Sequence, residues 1–187
     1  MTAPDLTASR ATIASTARIT LDRLEGACDD QRVMFQEIFP NGFEATSEAE
    51  CVAAARKHAS DFDWGPASKI LLADPAREAY EAAELSAREA YKSVKRQAWE
   101  AYEDAMRPAR EAYEAADRSA WKTYKDSNSQ AWKTYKDAKR SARESYKSVK
   151  RPAWKAYEDS NSQAWESYED ACAGAFARAF WAQESTQ

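Results

Sequence analysis

Side chains able to do acid–base, thiol or metal chemistry are few in this chain and do not cluster. His58 is the only histidine. No Cys/His group with metal-ligand spacing surrounds it, so a helix-surface position is expected rather than a catalytic or metal site. Cys28, Cys51 and Cys172 are odd in number and lack metal-type spacing. They read as reduced thiols, with Cys28 and Cys51 as small core residues where two helices meet. Asp61 and Asp63 are the carboxylates nearest to an acid/base or metal pair, and helix capping and solvation account for them. No glycine-rich phosphate loop, Ser/His/Asp set or zinc signature occurs. The expectation is a non-enzymatic protein with no catalytic residue, cofactor, metal or small-molecule substrate.

The residues with regular spacing are aromatic. From Ala76 to Gly174 one 11-residue unit repeats nine times without a slip, opening at Ala76, Ala87, Ala98, Ala109, Ala120, Ala131, Ala142, Ala153 and Ala164. Position 5 of each copy is a tyrosine: Tyr80, Tyr91, Tyr102, Tyr113, Tyr124, Tyr135, Tyr146, Tyr157 and Tyr168. Position 2 is tryptophan at Trp99, Trp121, Trp132, Trp154 and Trp165, phenylalanine at Phe176, and arginine elsewhere. A worn tenth copy starts at Ala175, with Ala179 in the tyrosine place and Phe180 beside it.

Eleven residues make close to three helical turns, so each position advances about 98° and the unit repeats nearly in line. Positions 1, 4, 5 and 8 then share one arc of about 100°, position 2 sits on its shoulder, and charged positions 3, 6, 7 and 10 lie opposite. This is an amphipathic helix with a wide apolar stripe. Its period predicts a straight or slightly right-handed coiled coil. The unbroken phase favours one continuous helix of about 150 Å. Pro108 and Pro152, at position 11, and the poor helix formers Ser127-Asn128-Ser129 and Ser160-Asn161-Ser162 leave a kinked, folded-back or bundled arrangement open. Ser127 with Gln130 and Ser160 with Gln163 also have capping-box spacing.

The elements ahead of the repeats are shorter. Residues 1–20 read as a loose segment that turns helical near Ile13 to Leu24. Leu21 to Phe39 has helical spacing and stops at Pro40-Asn41-Gly42. Phe43-Glu44-Ala45 reads as briefly extended. A second helix is capped by Thr46 or Ser47 and runs to about Ser60, a third spans Pro66 to Leu72, and Asp74-Pro75 starts the long helix. The fold class expected is all-α: a small three-helix head at 21–73, a hendecad-repeat stalk at 74–182 and a tail at 183–187. Fifty residues bury little area, so the head needs support from the stalk or from a copy of itself.

The head pattern (Cys28, Gln31 and Phe35; Phe39-Pro40-x-Gly42; Thr46; Cys51; Asp63-Trp64; Leu71-Leu72), followed by Pro-Ala-Trp-x-Ala-Tyr-type repeats, resembles a group of hypothetical proteins of bacteria and their phages. The resemblance spans nearly everything after residue 20. It implies a head-plus-rod architecture and carries over no catalytic residues. Proline opens only the copies at Pro75, Pro108 and Pro152, and arginine often replaces tryptophan, in departure from that pattern.

Charge is patterned beneath a net of −4. Residues 120–155 carry 11 basic and 3 acidic groups between acidic flanks. A parallel in-register oligomer stacks this basic block on itself, whereas antiparallel pairing or fold-back sets it against acid. No charged leader with an apolar core opens the sequence and no 18-residue apolar run occurs, so a cytoplasmic location is expected. The Tyr/Trp ladder reads first as a self-association or partner-helix surface for a spacer, scaffold or assembly protein. The alternatives are an amphipathic membrane-surface helix, nucleic-acid binding through the 120–155 block, and a dehydration-protectant-like repeat.

Overall fold

The computed structural model describes residues 16–125 and 130–186. The chain forms two compact units, one of Met1–Ala87 with Glu169–Gln187 and one of Arg88–Tyr168. It is mostly helical. Two short strands, β1 (Ala17–Ile19) and β2 (Phe43–Ala45), flank a 3-10 turn at Leu21–Leu24 and α1 (Asp29–Ile38). Three further elements follow as α2 (Glu48–Lys57), α3 (Trp64–Leu71) and α4 (Asp74–Lys125), and α5 spans Gln130–Glu184.

The first unit builds its elements from local signals. β1 and β2 pair antiparallel, with Ala17 opposite Ala45 and Ile19 opposite Phe43. The helix expected near Ile13 to Leu24 gives way to β1 and the 3-10 turn, with Ile13 itself outside the described residues. Ile19 is β-branched and stands opposite Phe43, and strand pairing uses that shape better than a helix does. Leu21 to Phe39 is likewise two elements, because Gly26 interrupts the helical run and Cys28 becomes the N-cap of α1. Gly42 closes the Pro40-Asn41-Gly42 turn at φ 81°, and a Cβ there would sit 2.9 Å from the Ile19 carbonyl oxygen. The Ser47 hydroxyl caps α2 by accepting from the Glu50 amide at 3.2 Å. Glu50 reaches back to the amide and hydroxyl of Thr46, both at 2.8 Å, a near relative of the capping box. Those two bonds hold the Glu50 carboxyl below its usual range. Asp63 caps α3.

The core of this unit closes on α5. Ala173, Phe176, Ala177 and Phe180 are buried there with Phe35, Leu71, Leu72 and Tyr80. The Trp64 ring meets Phe176 at 5.1 Å, and Tyr80 meets it edge-on at 6.3 Å. Polar ties hold the same helix end. Gln183 accepts from the Ala73 amide at 2.6 Å and donates to the Leu71 carbonyl at 3.0 Å. Arg23 pairs with Glu184 at 3.0 Å and lies over the Phe180 ring at 5.2 Å. The 21–73 segment is thus one part of a unit that also takes in the first turns of α4 and the last turns of α5. The worn tenth repeat lies in this core, with its Ala179 and Phe180 buried there.

The repeats occupy two helices. Pro108 and Pro152 lie inside α4 and α5, and neither ends a helix. Both are exposed, so water can reach the carbonyls of Asp104 and Ser148 that lose their partners. Ser160-Asn161-Ser162 is also helical within α5, which overrides its capping-box spacing. The corresponding Ser127 to Ser129 signal lies outside the described residues.

Cys28 is exposed, whereas Cys51 and Cys172 are buried and unbridged. Burial, then the Glu48 charge, pushes the Cys51 thiol up to about 11. Native chain should therefore react with a water-soluble thiol reagent at Cys28 alone. Phe180→Ala should cost about 3–5 kcal/mol and open Cys51 and Cys172 to labelling in native buffer. An unchanged labelling pattern would show that α5 does not seal this core.

Candidate functional site

The tyrosine ladder is divided between the two units. Tyr80 belongs to the first, where it is 2% exposed. Tyr91, Tyr102, Tyr113, Tyr124, Tyr135, Tyr146, Tyr157 and Tyr168 are half-buried in Arg88–Tyr168. There the structure brings them together with Trp99, Trp121, Trp132, Trp154 and Trp165 across a seam between α4 and α5. Ring centroids lie at 5.5 Å for Tyr91–Trp165, 5.5 Å for Trp99–Tyr157 and 5.6 Å for Tyr102–Trp154. Trp121–Tyr135 and Tyr124–Trp132 follow at 5.8 and 5.2 Å.

These pairs share one offset. The residue numbers in each add to 256 (91 with 165, 99 with 157, 102 with 154, 121 with 135, 124 with 132). A constant sum means the two helices run antiparallel with no slippage. Each position-2 tryptophan also packs against the position-5 tyrosine of its own copy, one turn ahead, as Trp99 tilted on Tyr102 at 5.3 Å and Trp154 tilted on Tyr157 at 5.3 Å. The outcome is a series of ring clusters. Trp99, Tyr102, Trp154 and Tyr157 make one quartet, and Trp121, Tyr124, Trp132 and Tyr135 make another. Tyr91, Trp165 and Tyr168 form a trio, and Tyr113 and Tyr146 a pair at 6.0 Å. The smaller clusters fall where position 2 is arginine, at Arg88, Arg110 and Arg143.

Charge follows the same offset. Residues 97–119 hold six acidic and three basic side chains, and their opposites, 137–159, hold four acidic and seven basic. Asp117 meets Lys139 across the seam at 3.3 Å, and Lys139 also donates to the Tyr135 hydroxyl at 3.2 Å. The Tyr135 hydroxyl, then Asp117, holds the Lys139 amine above the usual lysine range. The cluster's contribution is therefore complete below the ordinary lysine value and fades as pH rises through the raised one. Tyr91 adds a hydroxyl bond to Asn161 at 3.2 Å.

The seam leaves one face open. An antiparallel pair is related by a twofold axis perpendicular to the plane of the two helices, so position 2 falls on the same side of the seam in both. All five tryptophans are 40–46% exposed. Among the described residues of Arg88–Tyr168, only Met106 and Ala164 are buried. Two helices alone bring these rings together without removing them from water.

Among the described residues no three His, Cys, Asp or Glu side chains gather as a metal site, and no helix is long and apolar enough to cross a membrane. The sequence placed His58 on a helix surface. The structure puts it just past the C-terminus of α2, with a side chain 16% exposed and Nδ1 on Asp61 at 2.8 Å. Its ring lies against Phe39 and Phe62, a contact made by the fold. No family model, curated protein or solved structure matches the chain.

The register makes a pairing prediction. Trp99→Ala and Tyr157→Ala should be coupled in a double-mutant cycle by about 0.5–1.5 kcal/mol. Trp99→Ala and Tyr135→Ala, which do not meet, should add. Coupling in the second cycle but not the first would displace the offset.

Proposed function

We propose that this is a non-enzymatic assembly protein whose two repeat helices form a hendecad coiled-coil element, with the tryptophan face taken up by a second copy of the chain. The ladder then divides its work. The tyrosines hold α4 to α5, and the tryptophans join chains, so that the repeats serve as a spacer or scaffold. The observation that carries this reading is the row of five half-exposed tryptophans on one face of the Arg88–Tyr168 unit, among whose described residues only Met106 and Ala164 are buried. Full burial of an aromatic side chain is worth roughly 1.5–3 kcal/mol, so the open face forgoes several kcal/mol in water.

Symmetry and charge favour a second copy as the occupant. The constant offset gives the face an internal twofold relation, so it matches its own spacing when turned over. A partner turned about an axis along the helices sets its 97–119 segment, rich in acid, against the basic 137–159 segment of the first chain. Every neighbouring helix in such a four-helix arrangement is antiparallel, as in up-and-down bundles.

Light scattering on a sizing column over a dilution series tests this. The wild-type chain should elute at twice its 21.0 kDa. Trp121→Gln with Trp132→Gln should elute at chain mass with its helicity retained. A wild-type protein at chain mass throughout, above all one that floats with anionic vesicles, would assign the tryptophan face to lipid and end the self-association reading.

A further inference from the structure

The unit of Met1–Ala87 with Glu169–Gln187 contains a cavity of about 370 Å³, within the range of small-molecule sites. Its wall is aromatic: Phe35, Phe39, Phe62, Trp64, Phe176 and Phe180 all line it. These rings meet at varied angles around the space, Phe62 edge-on to Trp64 at 5.6 Å and Phe176 stacked on Phe180 at 5.9 Å. They offer both faces and edges to a further ring.

One polar group in this wall is fixed and has unused capacity. His58 lines the cavity with its ring held edge-on between Phe39 at 5.6 Å and Phe62 at 6.5 Å. Its Nδ1 lies 2.8 Å from the Asp61 carboxylate, so in the neutral ring the proton sits on Nδ1. Nε2 is then an acceptor, and no hydrogen bond engages it among the described residues. Gln31 steadies the segment by accepting from the Asp63 amide at 3.0 Å and donating to the Asp61 carbonyl at 3.5 Å. Asp30 and Asp63 also line the cavity, and their charge opposes an anion. Cys51, in the same wall, is a neutral thiol near pH 7 and supplies no nucleophile.

We propose that this cavity is a binding site for an uncharged aromatic molecule bearing one hydroxyl group, whose proton is accepted by Nε2 of His58. The rings supply burial and edge-to-face contact, the imidazole fixes orientation, and the acidic residues exclude carboxylates. Binding is reversible and non-covalent. The site is independent of the tryptophan face, and its success or failure leaves the self-association reading where it stands.

The full chain should be titrated with 2-naphthol, with 2-methoxynaphthalene, which lacks the donor, and with 2-naphthoate. Calorimetry gives affinity. The ring signals of His58 report the site without ambiguity, because it is the sole histidine. We expect saturable one-to-one binding of 2-naphthol with movement of the His58 ring signals, about tenfold weaker binding of the ether, and weaker binding still of the naphthoate. His58→Phe should bring the naphthol down to the affinity of the ether and leave the ether unchanged. Ala67→Phe, which fills the cavity, should remove both, with thiol labelling confined to Cys28 as the check that this unit is folded. Three results would each overturn the proposal: no saturable binding, equal binding of naphthol and ether, or naphthol binding indifferent to both variants.

Discussion

A helix that advances through close to three turns every 11 residues presents the same side chains to the same neighbour at each repeat, about 16.5 Å apart along its axis. Once one tyrosine of α4 meets one tryptophan of α5, the equal spacing on both helices brings every later pair into the same relation. The single offset is therefore the constraint on which the Arg88–Tyr168 unit depends. A shift by one residue would move every ring out of the seam together. It also explains why the repeat tolerates arginine at position 2: a missing tryptophan thins one cluster without altering the spacing of the next.

The two units solve the burial problem differently. In the first, elements of varied length converge, and Phe35, Tyr80 and Phe180 are taken almost fully out of water. In the second, two helices share a line of contact and, among the described residues, the rings along it meet but stay half wet. On α4 the repeat keeps its tyrosine inside the first unit, at Tyr80, whereas on α5 it departs from the pattern there. Tyrosine persists to Tyr168, and Ala179 and Phe180 replace the pattern where α5 enters the first unit.

The ladder was legible in the sequence because periodicity needs only local counting, and Ser47, Asp63 and the Pro40-Asn41-Gly42 turn were legible because caps and turns use local chemistry. The pairing of the ladder was not. The same stripe satisfies a second chain or a folded-back one, and position 11 prolines on the exposed side carry no information about where a helix ends. The cavity was beyond reach for a different reason. Gln31, His58 and Phe176 are far apart in the chain, and only the close of α5 over the first unit brings them to one wall. The sole histidine looked like a surface residue because nothing local shows that Phe39 and Phe62 hold it.

The antiparallel intrachain register is tested most directly by zero-length carbodiimide crosslinking of Asp117 to Lys139, 3.3 Å apart, in a mixture of unlabelled and uniformly 15N-labelled chains. Peptide mass spectra then tell which chains were joined. The register predicts an Asp117–Lys139 link whose two halves carry the same isotope label at every protein concentration. A statistical mixture of labels across that link, or its absence beside links from Lys139 to other carboxylates along the seam, would contradict it.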